Sequence, residues 1–422
     1  MKRILIRGGR IVDPSRGVDE TGDLYIEDGR IRASGKRLAD EVVDAKGLVV
    51  APGLIDMHVH LREPGNEDEE TIESGSRAAV AGGFTSVAAM PNTHPPVDNV
   101  ASAEYVLLQS ERAGGAHIFP IGAVTKGRQG KELAEIGQLS RGGAVAFSDD
   151  GDPIGDADVM RRGLQYVNMF GKAVISHCED KSLSGSGVVN EGVIAMKLGL
   201  SGIPASAEEV MVSRDLILAK ATGARLHVAH VSTAGSVDLI RSAKAQGVRV
   251  TAEATPHHFC LTHDCVLDFD ANFKMNPPLR SREDVEAVKK GIADGTLDAV
   301  ASDHAPHSFE EKDVEFPAAP FGVIGMESLL PIAVTELLEP GVVSLPRLIA
   351  ALTIAPAGVL NLRKGTLADG ADADVTLIDL KKEWVIDAAA FRSKSRNCPF
   401  HGRKVRGKAV AVIVGGKIFR ND

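Results

Sequence analysis

No stretch of this 422-residue chain approaches the roughly 20 consecutive apolar residues that a membrane-crossing helix needs. The basic residues near the start, Lys2, Arg3 and Arg7, have no long apolar segment behind them, so residues 1–8 read as a first strand and not as a secretion signal. Cysteine is scarce. Cys178, Cys260, Cys265 and Cys398 show no Cys-x-x-Cys spacing and read as buried or free thiols in a reducing compartment. Positive charge is in deficit: 48 Lys and Arg face 57 Asp and Glu, and the net charge of −9 argues against a nucleic-acid partner. No Gly-x-Gly-x-x-Gly follows the first barrel-type strand, which counts against an open, doubly wound sheet. A soluble cytoplasmic protein is expected.

What is present is ordinary globular composition, 44% hydrophobic and 25% charged, at a length that suits one large domain plus a smaller one. Through the middle of the chain, strand-like runs alternate with helix-like ones. The strand candidates are 54–61, 84–90, 117–125, 144–150, 173–178, 225–231, 248–253 and 297–302; helical segments such as 69–81, 102–113, 157–170, 207–222, 234–245 and 282–293 fall between them. Such alternation implies parallel strands with crossover helices, and eight of them point to a closed (β/α)8 TIM-type barrel over residues 52–362. Residues 1–51 and 363–422 are short strands punctuated by turns, among them the hairpin signal Asp28-Gly29. Neither end holds enough strands for a stable sheet, so a small β-sandwich built from both termini is expected.

Chemistry in such barrels sits at the C-terminal ends of the strands. The first strand ends in His58-Val59-His60, two imidazoles on one face because strand side chains alternate, with Met57, Val59 and Leu61 on the other. Paired imidazoles suit a borderline metal ion such as zinc. Other ends carry Asn92, Asp149-Asp150, His177, His230 and Asp303-His304 with His307 beyond. Neighbours alternate, so only one of Asp149 and Asp150 can face the centre, and the other caps or bonds a loop. Asp303 reads as catalytic more than as a helix cap. His94, His117, His227, His263 and His401 read as structural or surface groups. His257 and His258 could line the pocket, although adjacent histidines seldom share a metal. Cys178 should face away from the side His177 uses.

Several longer stretches resemble a known family. These are Asp56-Met57-His58-Val59-His60-Leu61-Arg62-Glu63-Pro64-Gly65, Ala89-Met90-Pro91-Asn92-Thr93, Asp149-Asp150-Gly151, Met275-Asn276-Pro277-Pro278-Leu279-Arg280, Ser302-Asp303-His304-Ala305-Pro306-His307 and Ser393-Lys394-Ser395-Arg396-Asn397. They look like the amidohydrolase superfamily and, more narrowly, like bacterial dihydroorotases of the long-chain type, over essentially the whole chain. The resemblance implies reversible cyclisation of N-carbamoyl-L-aspartate to L-dihydroorotate, with loss of water, in pyrimidine synthesis. It implies one or two zinc ions, the first held by His58, His60, Asp150 and Asp303 and the second by Asp150, His177 and His230. Zinc lowers the pKa of bound water to about 7 and polarises an amide carbonyl, giving a metal-bound hydroxide for which Asp303 would be general base and acid.

The same resemblance implies substrate contacts from His60, Arg62, Asn92, Asn276, His307 and the backbone of Phe321 and Gly322. Arg62 offers a planar fork that matches a carboxylate, its alternative role being a surface salt bridge with Glu63 or Glu67. Related hydantoinases bridge two metals with a carboxylated lysine at the end of the fourth strand. None stands there in this chain; Lys172, at the start of the fifth, reads as a solvated charge, and the resemblance gives the bridging place to Asp150. Residues 308–325, rich in Glu, Pro and Gly, read as a lid or a plain connecting loop. A homodimer is the default, and the resemblance implies a possible association with aspartate transcarbamoylase. The rival readings are an allantoinase or hydantoinase, and an inactive dihydroorotase-like partner of aspartate transcarbamoylase.

Overall fold

The computed structural model describes residues 3–32 and 39–421; Met1 and Lys2, which open the expected first strand, lie outside them. The fold is mixed α/β. Eight parallel strands run through the middle of the chain: β1 (Leu54–Val59), β2 (Phe84–Ala89), β3 (His117–Pro120), β4 (Phe147–Ser148), β5 (Ala173–Ser176), β6 (Arg225–Val228), β7 (Val250–Ala254) and β8 (Ala299–Val300). They form two hydrogen-bonded sets, β1-β2-β3 and β4-β5-β6-β7-β8. Isolated bridges pair Gly122, just after β3, with Phe147, and Val59 with His304, just after β8, so each set meets the other on both sides. No described helix is long and apolar enough to cross a membrane.

Several strands are shorter than their apolar runs. Pro120, the last residue of β3, has no N–H to donate towards β4, and Gly122 packs so close to β4 that a Cβ there would come 2.9 Å from the Phe147 ring. Helix starts are set by caps. Thr71 accepts from Ser74 N and Asn99 from Ser102 N, so these helices run Ile72–Gly82 and Val100–Ala113.

The alternation expected in β1 breaks at its end. Ile55 and Met57 pack with Ala88, Ile121, Ala146, Ile175 and Ala301 in one apolar cluster, whereas Val59 and Leu61 belong to another. The reason is a register shift between Asp56 and Val59, where β1 spends three steps against two on β2. Such a bulge re-aims the residues beyond it. Met57 therefore does not share a face with Val59, as simple alternation requires.

Strands from both chain ends share one eight-stranded sheet. Val49–Pro52 pairs antiparallel with Val375–Val385, joining the N-terminal strands to Lys404–Val414 and Lys417–Arg420. Asp28 and Gly29, both at positive φ (52° and 72°), make the expected turn. The sheet has its own apolar cluster, including Ile4, Ile26, Val375 and Ile413. Residues 308–325 open with a short helix, Phe309–Lys312, and are pinned from below. Lys312 Nζ donates to Pro320 O (2.8 Å), and Lys274 Nζ to Phe316 O (2.9 Å).

Asp374 ties the terminal sheet to the parallel strands. It accepts from Lys364 Nζ at 2.5 Å and from Gly415 N at 2.9 Å, with His117 Nε2 at 3.4 Å. Burial disfavours its charge, but His117 and Lys364 outweigh that and hold the carboxyl at about 2. A carboxyl depressed on folding stabilises fully above its unfolded value near 4, and that contribution disappears as pH falls through about 2. Asp374→Asn is expected to lower the urea midpoint by a constant amount above pH 5, with the deficit narrowing between pH 4 and pH 2.

Candidate metal centre and active site

The ends of β1, β4, β5, β6 and β8 bring His58, His60, Asp150, His177, His230 and Asp303 into one buried cluster. Asp150 is central. Its Oδ1 lies 3.4 Å from His58 Nε2 and 3.7 Å from both His177 Nδ1 and His230 Nε2, and its Oδ2 lies 3.5 Å from His60 Nε2. Asp303 Oδ1 stands 3.2 Å from His60 Nε2 and 3.5 Å from His58 Nε2. His177 Nδ1 and His230 Nε2 are 2.8 Å apart.

The open choice between neighbours at the end of β4 is resolved by hydrogen bonding. Asp149 turns away to accept from Val124 N (2.8 Å), Thr125 N (3.1 Å) and the Thr125 hydroxyl. Burial pushes its carboxyl up to about 6. Lys172 lies outside the cluster and is half-buried, not fully solvated; burial lowers its ammonium pKa.

Ring orientation is fixed from behind. His58 Nδ1 donates to Glu253 Oε1 (2.6 Å) and His60 Nδ1 to Asn92 Oδ1 (2.7 Å), so both present Nε2 inward. Glu253 also accepts from His227 Nε2 at 3.1 Å; His227 is thus a fully buried structural group, not a surface one. His258 is spent on Thr255 and Pro277 O, while the buried His257 leaves Nε2 without a partner. Burial lowers the His257 imidazole to about 4, which keeps it neutral. Cys178 turns from the cluster towards Ser176 and Asp215, as alternation requires.

The cluster fits a divalent cation. His58 Nε2 and Asp150 Oδ1 are buried polar atoms with no hydrogen-bond partner among the described residues, and each carries a lone pair facing the others. The sets His58–His60–Asp303 and His58–Asp150–His230 each bring three ligand atoms within 4.8 Å. Against the burial that disfavours charge, Asp150, Glu253 and Asp303 push the His58 imidazole well up, so the carboxylates draw positive charge to the Nε2 position, be it a proton or a metal ion. Asp303 meets the same burial, but His58, His60 and His230 hold its carboxyl far below the usual range, so it is ionised. Imidazole and carboxylate donors of this kind suit zinc and its neighbours in the first transition row.

Three cluster-lining residues hold left-handed backbone without being glycine: Arg62 (φ 60°), His230 (31°) and Asp303 (48°). Such strain persists only where surrounding contacts over-determine it.

The Arg62 side chain is part-buried, and its partner is neither Glu63 nor Glu67. Its Nε lies 3.0 Å from Glu69 Oε2 and donates to Pro306 O at 3.0 Å, while Nη2 is 3.4 Å from His307 Nε2. Glu63 instead accepts from Ile72 N and the Tyr105 hydroxyl, and Glu67 from Gly65 N. His307 Nε2 donates to Phe321 O at 2.9 Å. Gly322 has φ 132°, and a Cβ there would meet Ala305 Cβ at 2.8 Å. Asn276 Nδ2 donates to Glu179 Oε2 at 2.8 Å.

Three acids escape a sequence reading: Glu69, Glu179 and Glu253. The last was legible as an acid closing an apolar strand, and Glu179 by standing two residues beyond His177. Nothing local marks Glu69. Glu253→Ala, which leaves His58 and His227 unsupported, is expected to weaken metal retention about 10- to 100-fold in competition with a chelator.

The profile of the dihydro-orotase-like family matches residues 47–236. The chain is 55% identical over 423 aligned residues to a dihydroorotase of Pelotomaculum thermopropionicum, covering 100% of this chain and 99% of the relative. It is 51% identical over 419 residues to a dihydroorotase of Pelobacter propionicus, covering 98% and 99%. Among solved structures it is similar to an L-hydantoinase (dihydropyrimidinase) from Arthrobacter aurescens, with 27% identity, a TM-score of 0.87 and coverage of 99% and 96%.

Proposed function

Since this chain belongs to the dihydroorotase family, we propose that it interconverts N-carbamoyl-L-aspartate and L-dihydroorotate in pyrimidine biosynthesis. It is a cyclic amidohydrolase. The observation that carries the choice of substrate is Arg62, a guanidinium only 10% exposed and two residues beyond the His58–His60 pair, where a carboxylate-bearing ring needs a fixed cation.

We assign zinc, one or two ions, to His58, His60, Asp150, His177, His230 and Asp303. When bound, the metal supplies Lewis-acid polarisation of the ring amide carbonyl and of water. The protein's own groups do the rest. Asp303, ionised and beside His60, takes the proton from the attacking water and delivers it to the departing ring nitrogen; ring closure runs the transfers in reverse. Arg62, held by Glu69 and Pro306 O, fixes the substrate carboxylate together with His307 and Asn92, whose amide His60 orients. Asn276 and the backbone of Phe321 and Gly322 face the ring.

We read the eight parallel strands as a closed (β/α)8 barrel over residues 52–362, which the two bridges between the strand sets support. Residues 1–51 and 363–422 then form a composite β-domain, a sandwich in which one sheet folds over its own apolar cluster. A cytoplasmic homodimer is the proposed state; sedimentation alone and with aspartate transcarbamoylase tests it.

Dihydroorotate hydrolysis at mildly alkaline pH, with and without chelator and beside dihydrouracil and allantoin, tests the substrate. Chelator-sensitive preference for dihydroorotate is expected; preference for dihydrouracil or allantoin makes the protein a hydantoinase- or allantoinase-type enzyme instead. Asp303→Ala should keep the fold and most of the metal and lower kcat by about 10²- to 10⁴-fold, the range of general acid–base catalysis. Arg62→Ala should mainly raise KM; an unchanged KM removes Arg62 from carboxylate binding.

A further inference from the structure

Glu179 has no role in the mechanism above, yet one oxygen of its carboxylate gathers three donors. Oε2 accepts from Lys181 Nζ at 2.6 Å, Asn276 Nδ2 at 2.8 Å and His177 Nε2 at 3.2 Å. The side chain is only 9% exposed, whereas Lys181 is 53% exposed and closes the outer side. An acid that merely finished the strand in water would need Lys181 alone.

Each inner bond fixes a choice. A proton on His177 Nε2 leaves the lone pair on Nδ1, the nitrogen that lies 2.8 Å from His230 Nε2 and 3.7 Å from Asp150 Oδ1. His177 therefore offers the cluster Nδ1, while His58 and His60 offer Nε2. For Asn276, an amide nitrogen engaged by Glu179 leaves Oδ1 as the acceptor. An acceptor is what the N–H of a dihydropyrimidine ring requires. The two groups lie on separate elements, His177 after β5 and Asn276 in the Asn-Pro-Pro turn, and the Glu179 carboxylate joins them.

We propose that Glu179 is a positioning residue that sets the His177 tautomer and the Asn276 amide orientation together, so that ligation of the metal and recognition of the ring N–H depend on one carboxylate. The inference rests on the roles given to His177 and Asn276 above.

The test compares wild type, Glu179→Ala, Glu179→Gln, Asn276→Ala and the Glu179→Ala/Asn276→Ala double variant. Two readouts are taken: kcat and KM for dihydroorotate at saturating zinc, and the rate of zinc release to a chromophoric chelator. Glu179→Ala is expected to raise KM about tenfold, the loss of one charge-assisted hydrogen bond, with a much smaller change in kcat. It should also weaken zinc retention about 10- to 100-fold. Glu179→Gln, which keeps an acceptor, should bring KM back towards wild type. Asn276→Ala should raise KM without altering zinc release, and adding Glu179→Ala to it should raise KM no further. Should Glu179→Ala not fold, Glu179→Met, of similar volume and without an acceptor, carries the same expectations. The proposal is overturned if removing Glu179 moves neither readout, moves only one, or adds its full KM effect on top of Asn276→Ala. Wild type that does not turn over dihydroorotate, or an Asn276→Ala variant with unchanged KM, overturns the underlying site assignment instead; zinc release from Glu179→Ala then still reports on the His177 half.

Discussion

A single carboxylate oxygen organises the centre of this protein. Asp150 Oδ1 has no hydrogen-bond donor among the described residues, yet it lies within 3.7 Å of nitrogens from His58, His177 and His230. A buried anion without donors is expensive to hold, and an imidazole lone pair facing it makes matters worse. The arrangement is coherent only if a cation completes it. Everything around the cluster follows from keeping those lone pairs convergent: Glu253 behind His58, Asn92 behind His60, Glu179 behind His177, and positive φ at Arg62, His230 and Asp303. The fold holds in advance a geometry that a bound cation makes favourable.

Most of that centre was legible because it rests on period and position. Strand ends carrying His58, His60, His177, His230 and Asp303 stand out against apolar runs, and alternation alone predicted that Cys178 would turn away and that Asp149 and Asp150 would part company. Which of the two aspartates faced inward was not legible from the pair itself. The decision belongs to Thr125 and the backbone of Val124, some 25 residues upstream, whose donors capture Asp149.

The same limit explains the misses. Alternation placed Met57 with Val59, but a bulge decided by pairing with β2 separates them. Arg62 was legible as a cation beside the histidines; its partner was not, because Glu69 reaches it from the far side of the loop that leads to the Thr71 helix cap. His227 read only as a structural or surface group. It is buried because Glu253, on the neighbouring strand, has two oxygens and the first histidine uses only one. Local pattern determines which residues reach the rim, and cross-strand chemistry determines what each does there.

The terminal sheet has a consequence for biosynthesis. Val49–Pro52 pairs on one side with the N-terminal strand and on the other with residues 375–378, so one edge of the N-terminal strands stays open until a segment more than 320 residues further along the chain has been synthesised. Open, apolar strand edges are templates for association with other chains. The strands of the parallel set precede the segment that seals the sheet beside them, and residues 375–378 act as a clasp over an edge that would otherwise offer itself to other chains.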